Sequence, residues 1–110
     1  MSVSTRRATP DLELLRRLRE VLAAPATEAE LRTSIEQADA LVRVTRGQME
    51  GSERRLDELT SDPASALAEV AAELHRVDAL GRDLREAGRL QAALEERAQE
   101  LRSRWLLRQA

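Results

Sequence analysis

Aromatic side chains are almost missing from this 110-residue sequence, which has one Trp and neither Phe nor Tyr. Rings supply the largest apolar areas a core can use, so a thick globular interior is excluded and thin helix-to-helix seams must take its place. Cysteine is absent as well. That removes disulfides, thiolate metal sites and thiol nucleophiles, and it fits a reducing compartment such as the cytoplasm. No apolar run approaches the roughly 18 residues of a membrane span, and Arg6-Arg7 lacks the hydrophobic segment that an export signal requires. Lysine is missing too, all 18 basic residues being Arg, which together with abundant Ala, Leu and Glu reads as the coding bias of a GC-rich, bacterial-type genome.

What is present is 42% apolar and 35% charged residues with a net charge of −2, the composition of a folded helical protein rather than a disordered one. The most regular stretch runs from Leu31 to Leu59, where Leu31, Ile35, Ala38, Val42, Thr45, Met49, Ser52, Leu56 and Leu59 alternate in steps of four and three. That spacing is a coiled-coil seam, one narrow face that must lie along another helix. Around it the chain divides into a flexible tail at 1–8 and a single helical domain at 9–110, with helices at about 10–24, 28–60 and 63–108. Thr9 and Pro10 have the chemistry of a helix start, Pro25 breaks the pattern, and Thr27-x-x-Glu30 is a capping box. Ser61-Asp62-Pro63 is a short turn with Asp62 as cap and Pro63 opening the third helix, which makes the second and third helices antiparallel neighbours.

The third helix carries a stripe through Leu67, Val70, Leu74 and Val77, slips in phase near Leu80-Gly81, and resumes through Leu84, Ala87, Gln91, Leu94, Ala98, Leu101 and Trp105. Lengths decide how the first helix is placed. It matches the part of the third helix left over beyond the second, so a long hairpin results in which helices one and two follow one line and Leu15 and Leu18 face Trp105; the alternative folds the first helix back beside Leu41 and Val44. The expected fold is thus an all-α, elongated antiparallel coiled-coil hairpin with a short N-terminal third helix. A thin seam favours oligomerisation, with a homodimer of two hairpins as the expected form and Leu14, Leu41, Val44, Leu90, Leu106 and Leu107 as the candidate surface.

The sequence names no catalytic or metal-binding residues and no cofactor. His75 is the only histidine, Glu69/Glu73 and Glu96/Glu100 have the ordinary spacing of exposed helix faces, and Gly47, Gly51, Gly81 and Gly88 form no phosphate loop. Charge distribution says more. Residues 1–19 carry a balance of plus three, residues 20–81 minus seven and residues 82–110 plus two, so a hairpin is basic at its termini and acidic at its turn. At the basic end Arg102, Arg104 and Arg108 surround Trp105, Leu106 and Leu107, with no acid after Glu100. The expectation is a non-enzymatic interaction protein, an adaptor, assembly factor or chaperone that binds a helical protein partner and self-associates. The alternative is a nucleic-acid-associated regulator that uses the basic end.

Overall fold

A computed structural model describes the backbone of residues 3–109 and the side chains of residues 12–109. It consists of three helices, α1 (Val3–Ala23), α2 (Glu28–Ser61) and α3 (Leu67–Gln109), and no strand occurs among the described residues. The molecule measures 69 × 29 × 16 Å, and its radius of gyration is 18.6 Å. A compact chain of this length would have a radius near 13 Å, so the protein is elongated.

The Thr27 capping box forms as its sequence dictates. The Glu30 N–H donates to Thr27 Oγ1 at 3.1 Å and the Thr27 N–H donates to Glu30 Oε1 at 2.9 Å, which satisfies two of the donors a helix start leaves without partners. The Thr27 N–H first, and the Thr27 hydroxyl after it, hold the Glu30 carboxyl below the usual glutamate range. α1 begins differently from the expectation. It contains Thr9 and Pro10 rather than starting at them, so Pro10 leaves the Arg6 carbonyl without its usual donor four residues on. Of the segment read as a tail, Met1 and Ser2 lie outside the described residues.

The link between α2 and α3 is also longer than expected, because α3 starts at Leu67 and not at Pro63. Asp62 serves the turn instead of the helix: its Oδ1 accepts from the Ala64 N–H at 2.9 Å and its carbonyl from the Ser65 N–H at 3.0 Å. Pro63 then occupies the second position of that turn, where its fixed φ is equally at home. The helix proper opens where the Ala66 carbonyl accepts from the Val70 N–H at 3.2 Å.

α2 and α3 are antiparallel. Asp39 meets Gln91 at 3.2 Å, Arg55 meets Glu73 at 3.9 Å and Glu28 meets Arg102 at 4.0 Å, so one number rises as the other falls. Every position of the α2 stripe from Leu31 to Leu59 is buried or half-buried. On α3 three of the expected stripe residues are not, Leu67, Leu74 and, at the far end, Trp105. Leu67 is 86% exposed and Leu74 is 48% exposed, while Glu73 is buried. Taken through Val70, Glu73, Val77, Leu80, Leu84, Ala87, Gln91, Leu94, Ala98 and Leu101, all of them buried or half-buried, the α3 stripe alternates three and four without a slip. Hydropathy favours Leu74 over its neighbour, but the phase set by the long upper part of the helix turns Glu73 inward.

α1 folds back rather than extending the line of α2. The Arg97 guanidinium donates to the Leu22 carbonyl at 2.7 Å, and Arg19 pairs with Glu86 at 3.2 Å, so α1 rises in the same direction as α3. The cause lies in the flanks of the seam. Leu41 and Leu90 stand beside the Val42 and Leu94 positions, and in a two-helix rod they would face water at a cost of about 1.5–3 kcal/mol each. Instead Leu15 and Leu18 cover them, and Leu15, Leu18, Leu31, Ala38, Leu41, Val42, Ala87, Leu90, Leu94 and Ala98 form one core. On α2 beyond Val42 the fully buried side chains are Thr45 and Ser52, so the half nearer the turn is thinly packed.

Candidate interaction surface

Two ends therefore differ. At the turn end the chain reverses through Asp62–Ala66; at the open end the α1–α2 link and the last turns of α3 gather. The register set by Glu28 and Arg102 leaves α3 running on beyond the start of α2 for its final residues, with no helix opposite. This overhang holds Arg102, Arg104, Trp105, Leu106, Leu107 and Arg108, the residues the sequence marks as partner-binding candidates, and all six are exposed. Trp105 is 58% exposed. Leu15 and Leu18, expected to face it, are instead buried in the core with Leu90 and Leu94.

An open groove of about 520 Å³ lies along one side of the overhang, lined by Ala26, Thr27, Glu28, Leu101, Arg102, Trp105, Leu106 and Arg108. Its floor is apolar through Ala26, Leu101, Trp105 and Leu106. Its rim is cationic through Arg102 and Arg108, of which Arg102 touches Glu28 only at 4.0 Å, with both side chains more than half exposed. So weak a contact leaves the Arg102 charge largely available to another partner. Beside it, sharing Ala26 and Leu101, a second groove of about 560 Å³ lies between residues 22–26 and Arg97, Glu100, Leu101 and Arg104. Arg97 closes its inner end by capping the Leu22 carbonyl, which supplies to the end of α1 the positive charge that its own last turn lacks.

The remaining sequence candidates divide. Leu41 is a core residue, Leu14 packs half-buried against the core, and only Val44 remains exposed on the flank. Of the seam residues, Leu31, Ala38, Val42 and Leu94 are fully buried, Ile35, Met49, Leu56, Leu59, Val70, Val77, Leu84 and Leu101 are half-buried, and Leu67 and Leu74 face outward. A Cβ at Gly81 would make ordinary contact with Met49 Cε at 3.8 Å, and one at Gly88 would meet nothing within 4 Å.

Sequence reasoning found the Trp105 cluster but missed the other wall of the groove, Ala26–Thr27–Glu28, and the role of Arg97. The groove wall exists because the Pro25 link brings the start of α2 back across α3, a long-range event with no local signal. His75 is exposed. Among the described residues no group of three or more His, Asp or Glu side chains is placed to hold a metal ion, and no helix is long and apolar enough to cross a membrane. Comparison with family models, with curated proteins and with solved structures gives no match for this chain.

Proposed function

We propose that this protein is a non-enzymatic interaction protein, an adaptor, assembly factor or chaperone that works by burying helix against helix, with α2 and α3 as a coiled-coil type of scaffold and the open end as its binding surface. One observation carries the reading: the only aromatic ring in the sequence stands 58% exposed over an apolar groove with a cationic rim. Trp and Arg are the side chains that most often dominate the energy of an interface, because they combine large contact area with directional polar contacts. A helix laid in this groove would cover Trp105 and Leu106 as the missing continuation of α2 would, and its acidic residues would meet Arg102 and Arg108. Self-association belongs to the same reading, since a thin core and an exposed apolar end both favour a covered state.

The basic overhang favours a second reading, a nucleic-acid-associated regulator, because Arg102, Arg104 and Arg108 stand together with no acid among them. Affinity separation from native lysate with and without nuclease, repeated with Trp105→Ala, tests the two. A stoichiometric protein companion that survives nuclease and is lost with Trp105→Ala supports the helical-partner reading. Companions that vanish with nuclease, and binding that falls with salt by a log–log slope near −3, as about three phosphate contacts require, overturn it in favour of nucleic acid.

A further inference from the structure

The flank that a side-by-side pair of rods would use is largely occupied, because Leu41 and Leu90 already lie under α1. Among the described residues Leu12 and Val44 stay exposed on the flanks. The other exposed large apolar side chains lie toward the two ends, Leu67 and Leu74 toward the turn and Trp105, Leu106 and Leu107 at the open end, and these ends differ in charge. At the turn end Leu67 is 86% exposed, the most exposed of the large apolar side chains described. Around it, between residues 53 and 72, five exposed acids, Glu53, Asp57, Glu58, Asp62 and Glu69, outnumber Arg54 and Arg55. At the open end the groove is a concavity floored by Trp105 and Leu106 and rimmed by Arg102, Arg108 and Glu28. One end is an exposed apolar tip in an acidic setting, and the other is an apolar recess whose rim carries two arginines to one glutamate.

We propose that a second copy of this chain seats its turn end, Leu67 foremost, in the Trp105 groove at the open end, so that copies join head to tail. The charges then agree in sign across the contact: Glu58, Asp62 and Glu69 approach Arg102 and Arg108, which fixes polarity and speeds encounter. A pair joined through two open ends would set arginines against arginines, and a pair joined through two turn ends would set acids against acids. A head-to-tail contact uses two different surfaces of each copy and leaves one of each free on the pair, so it propagates into chains unless the rotation closes a ring. The inference deepens the interaction-protein reading by naming how the protein covers its own groove, and a helical partner that fills the groove would end the chain.

Purified protein alone tests the contact, separately from any capture of partners. The mass of the wild-type protein, followed by light scattering after size exclusion, should grow with concentration beyond twice the 12.3 kDa of one copy. It should fall back as salt rises to about 0.5 M, where the Debye length is a few ångströms. The tip variant Leu67→Ser with Glu58→Arg and the groove variant Trp105→Ala with Arg108→Glu each replace only exposed residues, and circular dichroism should show both folded as the wild type. Each alone should be monomeric at concentrations where the wild type assembles. Their equimolar mixture should regain a single contact per pair and stop at a dimer. Monomeric wild type up to millimolar concentration overturns the proposal, and so does a discrete dimer that one variant abolishes and the mixture does not restore, since that pattern belongs to two identical ends.

Discussion

Replacing Glu73 with leucine should make the protein more stable, although the change deletes a charge in a strongly charged chain. Glu73 is 7% exposed, and its Oε2 makes no hydrogen bond. Among the described residues its one ionic neighbour, Arg55, comes no nearer than 3.9 Å from a side chain that is 63% exposed. A buried acceptor without a partner costs about 1–3 kcal/mol, whereas a leucine buried at the same seam position contributes about 1.5–3 kcal/mol. Losing a long, solvent-screened pair with Arg55 offsets less than about 1 kcal/mol of that gain. Glu73→Leu should therefore stabilise by about 2–4 kcal/mol, seen as a higher urea midpoint with an unchanged slope. Its control is the next residue. Leu74 is 48% exposed, so Leu74→Gln should change stability by less than about 1 kcal/mol. If Glu73→Leu is neutral or harmful while Leu74→Gln costs the roughly 2–5 kcal/mol of a core truncation, the helix sits in the phase that hydropathy favours and the packing of α3 given above is wrong.

Other consequences follow from the same packing. Leu18→Ala should cost about 2–5 kcal/mol in urea unfolding, because Leu18 is fully enclosed by the core that holds α1 against α2 and α3; a cost below about 1 kcal/mol would mean that α1 does not fold back. Thr27→Ala should cost about 1 kcal/mol through loss of the N-cap. The Glu30 carboxyl is held low by the Thr27 N–H, so its contribution is full above the ordinary glutamate value near pH 4.3 and is lost as pH falls through the lower folded value. A melting-temperature difference between wild type and Glu30→Ala should accordingly narrow on acidification to about pH 3, whereas a difference that widens would reverse the assigned sign. Gly88→Ala should stabilise by up to about 1 kcal/mol, since a helix interior disfavours glycine by that amount and an added methyl meets nothing within 4 Å.

The α2 stripe and its capping box were legible in full because both depend on neighbours within a turn or two of helix. The α3 phase was not, for a physical reason: Glu73 and Leu74 compete for one seam position, and the winner is set by continuity with Leu84, Ala87, Leu94 and Ala98 many residues away. Asp62-Pro63 was recognised as punctuation, yet the same two residues suit either a helix start or a turn, and the hydrogen bonds to Ala64 and Ser65 select the turn. Direction was lost for α1 because matching lengths ignores the flanks, where Leu41 and Leu90 favour a third helix laid alongside. At the candidate surface the Arg102–Arg108 cluster around Trp105 was visible as composition, while the groove it borders depends on how the Pro25 link crosses α3.

The central claim is that the Trp105 groove is the part of this protein that a partner covers, and the chain's single tryptophan reports on it directly. Its emission should be that of a largely hydrated indole in dilute solution and should shift to the blue as copies are added at low salt, with the shift absent in the Leu67→Ser, Glu58→Arg variant. An emission that stays solvent-like at every concentration, or that shifts equally in the variant, would contradict the account.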